Sequence, residues 1–366
     1  MFLYIGRGGR ALNTQMITQR LLNWYSAHYR PLPWRNEPTP YHVWVSEIML
    51  QQTRIEAVLP YYRRFIDALP TVRHLADAPS EVLLKLWEGL GYYSRVRNMQ
   101  KAAQVIVERY GGELPADYDA LLALSGVGPY TAGAIASIAY NIPVPAVDGN
   151  VMRVLARLTA DDTDVLSGDG KKKFTAMAWK LTPEKDAGRF NQALMELGET
   201  ICVPNGTPMC AECPLSSVCE AYRMGCVSRL PVRIKKTKRR IEERKVALVC
   251  VQSAPRRVLL HRRPSDGLLA DLWELPNTLS ENPLDAVPEN IREYCKCVED
   301  LPVCKHLFSH IEWRMSGAVY MVPSDMHLPD GFAVVDWQGL QTAYPLPGAF
   351  RKYAALLPQL LCEECL

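Results

Sequence analysis

The first 225 residues carry apolar side chains at helical spacing, and proline, glycine or aspartate separates most of the segments. The segment from Met16 to Tyr29 is an example, and Pro31 and Pro33 end it because proline cannot continue a helix. The pattern predicts helices at 16–29, 41–55, 80–88, 95–110, 117–124, 131–140, 149–158, 171–181 and 189–200. Residues 1–225 are therefore expected to form a mainly α-helical domain.

The pattern changes after Cys226. Residues 226–245 are basic and poor in large apolar side chains, which is typical of an exposed linker; 9 basic and 2 acidic residues lie between Arg229 and Lys245. Apolar runs of strand length follow at 246–251, 258–261 and 315–322. We therefore expect a smaller α+β domain over residues 246–366.

Composition limits the class of protein. The chain has 366 residues, of which 48% are hydrophobic and 22% charged, so two folded domains are expected rather than disorder. The net charge is +3, and because the linker alone carries +7, the rest carries −4 (3 − 7). No apolar run is long enough to cross a bilayer, and the N-terminus does not read as a secretory signal. We expect a cytoplasmic protein, associated with the nucleoid if its source is bacterial.

A glycine turn between two predicted helices suggests a phosphate-binding site. Gly126 and Gly128 lie just before the helix at 131–140, where backbone N–H groups can bind an anion. Asp148 follows at the start of the next helix and brings a carboxylate into the same region. A phosphate site beside a carboxylate suggests chemistry on nucleic acid. Taken alone, the glycines are equally typical of an ordinary turn, and Asp148 of a helix N-cap.

Four cysteines form a compact group after the last predicted helix of this domain. Their spacing is C-x7-C-x2-C-x5-C, which suits a metal site in a short loop. The four residues are Cys202, Cys210, Cys213 and Cys219. Spacing leaves zinc and a [4Fe–4S] cluster as near equals. The C-terminal pair Cys362 and Cys365 is interpreted as part of a tail, because two cysteines cannot complete a four-ligand site.

These motifs together resemble the endonuclease III superfamily of DNA glycosylases, and finer ones resemble its adenine DNA glycosylase branch. The resemblance covers roughly residues 16–350, and the first cysteine gap is seven residues where the family has six. The segments that carry it are 33–35 (PWR), 45–53 (VSEIMLQQT), 90–95 (LGYYSR), 124–132 (LSGVGPYTA), 147–150 (VDGN), 193–198 (ALMELG), 308–310 (FSH) and the cysteine loop. The resemblance selects a [4Fe–4S] cluster over zinc.

The resemblance implies a catalytic group of Glu47, Tyr130, Asp148 and Asn150. Glu47 lies among apolar residues, which should raise its pKa and suit a general acid for adenine N7; the pattern alone leaves a solvated helix face equally open. Asp148 would stay ionised and stabilise the sugar cation. Bifunctional relatives carry a lysine in place of Tyr130, so Tyr130 implies a monofunctional glycosylase. In the family this tyrosine lines the active site and can bond the residue equivalent to Asp148.

Further residues match the DNA-binding parts of the family. Trp34, Arg35 and Glu196 match the pocket for the flipped adenine. The residues that match the surroundings of the opposite base and the phosphate turn are Gln52, Thr53, Leu90, Tyr92, Gly126 and Gly128. Without the resemblance, Trp34 would be a packed turn residue, Glu196 a helix surface charge and Tyr92 a core aromatic.

The C-terminal domain resembles a Nudix domain at residues 267–276. Its next helix, at 291–295, lacks the glutamate cluster that binds magnesium, so we expect no pyrophosphate hydrolysis. By resemblance, Phe308, Ser309 and His310 recognise 8-oxoguanine, and Ser309 could bond the N7–H group that guanine lacks.

The sequence thus predicts a monofunctional adenine DNA glycosylase for A·8-oxoguanine and A·G pairs, active in base excision repair. We expect a monomer whose partner is double-stranded DNA, with no membrane partner. The same motifs allow two alternatives. The first is another glycosylase of the superfamily, against which Tyr130 and the second domain argue, and the second is a non-catalytic lesion-binding protein, against which Glu47 and Asp148 argue.

Overall fold

The computed structural model describes residues 2–4, 11–234, 239–323 and 327–361. The helices are α1 (Thr14–His28), α2 (Pro33–Asn36), α3 (Pro40–Leu50), α4 (Ile55–Ala68), α5 (Val72–Asp77), α6 (Ser80–Leu86), α7 (Ser94–Tyr110), α8 (Tyr118–Leu122), α9 (Pro129–Tyr140), α10 (Gly149–Leu158), α11 (Gly168–Leu181), α12 (Ala187–Thr200), α13 (Glu220–Arg223), α14 (Glu289–Arg292), α15 (Trp337–Thr342), α16 (Arg351–Ala354) and α17 (Leu357–Leu361). The strands are β1 (Phe2–Tyr4), β2 (Ala11–Asn13), β3 (Arg240–Val251), β4 (Arg257–Arg262), β5 (Trp273–Glu274), β6 (Asn277–Thr278), β7 (Lys296–Leu307), β8 (Ile311–Val322) and β9 (Phe332–Val335).

The chain forms two compact units. The first contains Met1–Asp77 and Arg97–Lys235, and the second contains Ala78–Val96 and Lys236–Leu366. The boundaries predicted from the sequence place residues 78–96 in the first domain, whereas in the structure they group with the second unit. The predicted linker also differs, because β3 begins at Arg240, inside residues 226–245. Residues 235–238 of that linker, and Cys362 and Cys365, lie outside the described residues.

The first unit is built of helices, as predicted. Its core includes the apolar faces of α1, α10, α11 and α12, among them Ile17, Leu155, Phe174 and Phe190, all fully buried. The predicted helix at 41–55 is shorter, because α3 ends at Leu50 and Gln52 takes a left-handed φ of 61°. Helix α4 was not predicted; Pro60 lies inside it and weakened the helical pattern.

The second unit contains a mixed seven-stranded sheet. The strand order is β5-β4-β3-β8-β7, with β6 on β3 and β9 on β4. Strands β3 and β8 are parallel over twelve residue pairs, from Arg240 with Ile311 to Val251 with Val322. Apolar clusters cover both faces of the sheet. The α+β prediction is confirmed, although β7 was missed because most of its residues are exposed and give no clear alternation.

Candidate active site

An open cavity of about 1160 Å³ lies in the first unit, between α3, α9, α10 and α12. Predicted site residues from four separate segments line it: Trp34, Arg35, Glu47, Gln52, Thr53, Gly128, Tyr130, Asp148 and Asn150. Gln192, Met195 and Asn205 also line it, and the sequence analysis did not single them out. The fold therefore brings the predicted catalytic group together in one cavity.

Glu47 lies on α3, a helix that is apolar on nearly every face. Its side chain is 7% exposed, and the neighbours Trp44, Val45, Ile48 and Met49 are buried. Burial raises the pKa of Glu47 from 4.5 to about 7, and the nearby charge of Asp148 raises it further, while the hydrogen bond from Tyr130 acts in the opposite direction. Glu47 can therefore hold a proton near neutral pH, as a general acid must.

Tyr130 is the second residue of α9, and its hydroxyl donates a hydrogen bond to Glu47 Oε2. The same hydroxyl lies 3.2 Å from Met195 Sδ. In the family that the sequence resembles, this phenol can bond the residue equivalent to Asp148, whereas here its carboxylate partner is Glu47. Burial and the nearby carboxylates raise the pKa of Tyr130 well above its ordinary value, so the group stays a neutral donor.

Asp148 caps the N-terminus of α10. Its Oδ1 accepts the Val151 backbone N–H at 2.7 Å, and its Oδ2 accepts the Asn150 amide at 2.8 Å. Burial raises the pKa of Asp148, and these hydrogen bonds counteract that rise because they favour the charged form. The N-cap role that the sequence left open is thus present, and Asp148 also lines the cavity.

Arg153 connects this group to the cysteine loop and was not identified from the sequence. It is 2% exposed, and its Nη2 donates to Asn150 Oδ1 at 2.9 Å and to the Gly198 carbonyl at 2.7 Å. Its Nε donates to the Cys202 carbonyl at 2.8 Å. A buried arginine on the apolar side of α10, one turn after Asn150, was the available signal.

The four cysteines lie around one small cavity, which Arg157 also lines. Arg157 Nη1 lies 3.2 Å from Cys202 Sγ, and Cys219 Sγ lies 3.4 Å from the Arg157 carbonyl. In the described part of the chain, no group of three or more His, Cys, Asp or Glu side chains is placed to hold a single metal ion. Burial raises the pKa of the Cys213 thiol to about 12 and of the Cys219 thiol to about 11, so a bound metal would have to displace their protons.

The predicted adenine pocket is only partly as expected. Trp34 is 5% exposed and lies edge-on to Tyr62, with ring centroids 5.0 Å apart. Glu196 is 1% exposed and does not line the cavity; its carboxylate accepts from Arg35 Nη2 at 2.7 Å and from Arg30 Nη2 at 3.1 Å. Glu196 thus holds arginines in place rather than facing a base.

The turn before α9 has a left-handed backbone at Gly126 but not at Gly128. Gly126 takes a φ of 74°, and a Cβ there would lie 2.6 Å from Asn98 Cβ. Gly128 is the N-cap of α9 and a Cβ there would meet no atom within 4 Å, so its backbone is open to a close approach.

Leu90, Tyr92 and the 308–310 loop belong to the second unit. Leu90 is only 7% exposed, so little of its side chain is accessible. Tyr92 is 48% exposed with a left-handed φ of 48°, and its hydroxyl lies 3.1 Å from Ser309 Oγ. Ser309 and His310 are exposed, whereas Phe308 is half-buried.

Comparisons with known proteins identify both parts of the chain. Residues 45–184 match the model of the HhH-GPD superfamily base excision DNA repair proteins, and residues 246–356 match the NUDIX domain model. A solved thermostable thymine-DNA glycosylase is 26% identical, with a TM-score of 0.52, and covers 58% of this chain and 97% of its own.

Similar proteins extend over most of the chain. An adenine DNA glycosylase of Mus musculus is 36% identical over 87% of this chain and 73% of its own length. One of Buchnera aphidicola subsp. Baizongia pistaciae is 33% identical over 82% of this chain and 84% of its own. One of Arabidopsis thaliana is 36% identical over 82% of this chain, which spans 56% of that longer protein. No described helix is long and apolar enough to span a membrane.

Proposed function

Because the chain belongs to the adenine DNA glycosylase family, a family of base excision DNA repair enzymes, we propose that it removes adenine paired with 8-oxoguanine or guanine. The observation that carries the proposal is the buried pair of carboxyl groups in one cavity. Glu47 has a pKa raised to about 7, and the oxygens of Asp148 accept hydrogen bonds from Val151 and Asn150.

The reaction needs an acid and a stabilised sugar cation. Adenine flips out of the duplex into the cavity, and the Glu47 carboxyl donates its proton to N7 as the bond between N9 and C1′ breaks. Both electrons of that bond leave with adenine, and the Asp148 carboxylate stabilises the cation at C1′. Water adds to C1′ and loses a proton, so the products are adenine and an abasic site.

Tyr130 supports a monofunctional reaction. Its neutral hydroxyl orients the Glu47 carboxyl by donating to Oε2, which leaves the acidic proton for the base. A phenol cannot form a Schiff base with the sugar, so no strand cleavage is expected. Asn150 orients Asp148 through its amide.

The nucleotide contacts are proposed from the resemblance to the family. Trp34 and Arg35 line the cavity that would receive adenine, and Glu196 orients Arg35 from behind. Gln52, Thr53 and the turn at Gly126 and Gly128 bind the DNA strands from the first unit. Tyr92 and the loop of Phe308, Ser309 and His310 contact the opposite base from the second unit.

The four cysteines hold a [4Fe–4S] cluster in this proposal. Support comes from the four cysteines lining one small cavity together with Arg157. When bound, the cluster would order the loop of residues 202–219, and Arg153 and Arg157 would fix that loop to α10. Iron and acid-labile sulfide in equal amounts would support this assignment, and stoichiometric zinc would refute it.

The partner is double-stranded DNA, bound by a monomer with help from the basic residues of segment 226–245. We propose a cytoplasmic location and no pyrophosphate hydrolysis by the Nudix-like domain.

The deciding experiment measures adenine release from duplexes with a single A·8-oxoguanine, A·G, A·T or T·G pair. Heating in alkali reveals abasic sites, and an untreated sample reports strand cleavage. Release from the first two duplexes with an intact untreated strand is expected. Release of thymine, or binding without release of any base, would overturn the proposal.

A further inference from the structure

The loop of residues 308–310 rests on Trp313, a residue that the assigned site does not include. Trp313 is fully buried on β8, three residues after the loop ends at His310. The Phe308 ring lies against it at a centroid distance of 4.9 Å and an interplanar angle of 71°. The His306 ring also contacts the Phe308 ring, at a centroid distance of 4.6 Å. The Phe308 ring is therefore held by two ring contacts, of which only Trp313 is fully buried.

A network of charged groups holds Trp313 itself. Its Nε1 donates to Glu242 Oε2 at 2.9 Å, and Glu242 lies directly opposite on the parallel strand β3. The Arg244 guanidinium lies over the indole ring at 4.2 Å and donates to the same Glu242 oxygen at 2.9 Å. The Arg263 guanidinium lies 5.7 Å from the ring centroid. An indole with a satisfied N–H and a guanidinium over its ring has little freedom to rotate.

The backbone of the loop is tied to the same region. The Arg240 backbone N–H donates to the His310 carbonyl at 3.0 Å, and Arg239 Nε donates to the Phe308 carbonyl at 2.9 Å. The Arg240 side chain in turn donates to Glu242. These contacts leave the exposed side chains of Ser309 and His310 as the part of the loop that faces outward, where the Ser309 Oγ lies 3.1 Å from the Tyr92 hydroxyl.

We propose that Trp313 is a positioning residue for the opposite base: it acts through Phe308 to fix the place of the Ser309 hydroxyl. The inference rests on the proposed role of Ser309. Guanine and 8-oxoguanine differ at N7 and C8 alone, so discrimination by hydrogen bonding depends on donor–acceptor placement within a few tenths of an ångström. Loosening Phe308 should therefore reduce discrimination more than general DNA affinity, which depends on phosphate contacts.

The test measures the affinity of the full-length protein for A·8-oxoguanine and A·G duplexes. Trp313→Phe keeps an aromatic ring but loses the bond to Glu242, and Trp337→Phe, at a 41% exposed position of the same unit, is the matched control. All proteins carry Asp148→Asn so that the duplex stays intact. For Trp313→Phe we expect roughly 3- to 10-fold weaker binding of A·8-oxoguanine and unchanged binding of A·G. Trp337→Phe should bind both duplexes with the same affinity as the parent, which is the protein that carries Asp148→Asn alone.

A second variant covers the case in which Trp313→Phe unfolds. Glu242→Gln leaves the indole in place but removes the charge that orders Arg240 and Arg244, and it should cause the same selective loss. A parent that binds both duplexes equally would refute the lesion specificity, and this inference with it. A parent that prefers 8-oxoguanine, with variants that retain the preference or lose both affinities equally, would refute the role of Trp313 alone.

Discussion

The buried carboxyl groups of the two units differ in what neutralises them. In the first unit, Glu47 and Asp148 face a cavity and form no ion pair with any described residue; their partners are a phenol, an amide and a backbone N–H. In the second unit, Glu242 and Glu274 are 8% and 2% exposed and pair with arginines. Arginine lowers the pKa of Glu242, whereas burial without such a partner raises the pKa of Glu47.

This difference distinguishes acids that can take part in a reaction from acids that stabilise the fold. A buried acid without a cation costs stability when it ionises. Glu47 therefore retains a proton that can be transferred, whereas the hydrogen bonds to Asp148 favour its charged form. A buried acid held by arginine keeps its charge and organises neighbouring groups. The role of a buried acid depends on its partner and not on the unit in which it lies. Glu196 belongs to the first unit, yet it is paired with Arg30 and Arg35.

The largest effect should come from Glu47→Gln. Without a transferable proton, single-turnover adenine release should fall on the order of 10³- to 10⁴-fold. The same change should stabilise the protein in alkali. The folded pKa of Glu47 is raised from 4.5 to about 7, so its stability contribution is complete below 4.5 and is lost as pH rises through about 7. At pH 8 the variant should therefore have a higher Tm than wild type. Its free energy of unfolding should be larger by at most about 3 kcal/mol.

Glu108→Gln, at an exposed position on α7, is the control for this pair of measurements. It should change neither rate nor Tm. A Glu47→Gln protein that melts below wild type at pH 8 would contradict the interpretation of Glu47 as an unpaired acid.

Asp148→Asn should lower adenine release by roughly 10²- to 10³-fold, because the sugar cation loses its counter-charge. The asparagine oxygen can still accept the Val151 N–H, so α10 should keep its cap. Asp148→Ala removes that cap and should in addition cost about 1 kcal/mol of stability, measured by urea unfolding. Equal stability of the two variants would argue against the capping role.

Glu274→Gln should have the opposite effect on stability to Glu47→Gln. It leaves Arg263, whose side chain is 15% exposed, without its charged partner, and should cost about 3 kcal/mol in urea unfolding at neutral pH. Glu281→Gln, where the side chain is 96% exposed, should cost almost nothing. A stabilising effect of Glu274→Gln would remove the distinction between the two units.

The pH dependence of adenine release should follow Glu47. The active form is protonated, so the single-turnover rate should fall as pH rises through about 7, approaching tenfold per pH unit above it. A rate that instead rises over this range would mean that Glu47 acts as a base.

The smallest effect is expected from Tyr130→Phe. Its hydrogen bond lowers the pKa of Glu47, so its loss should move the alkaline fall in rate to higher pH. The measurement is the pH–rate profile of the variant beside that of wild type. An unchanged profile would mean that Tyr130 does not orient the acid in solution.

Much of the architecture could be predicted because it depends on local patterns. Helical periodicity identified α1 and α7 to α12 within a few residues, and the family match to residues 45–184 and 246–356 confirms the two-part organisation. Helix α4 was missed because Pro60 contradicts local propensity while buried Val58, Tyr62 and Phe65 stabilise the helix by packing. Edge strand β7 was missed because β8 pairing, not apolar alternation, defines it.

The sequence by itself determined which groups are chemically available: the acids Glu47 and Asp148, the phenol of Tyr130 and the four cysteine thiols. Only the tertiary structure decided how each is used, because pKa values and hydrogen-bond partners depend on residues far apart in the chain. Glu47 meets Tyr130 across 83 positions, and Glu196 meets Arg35 across 161. The same long-range packing buries Leu90, turns Glu196 toward two arginines and places Trp313 beneath the loop of Ser309.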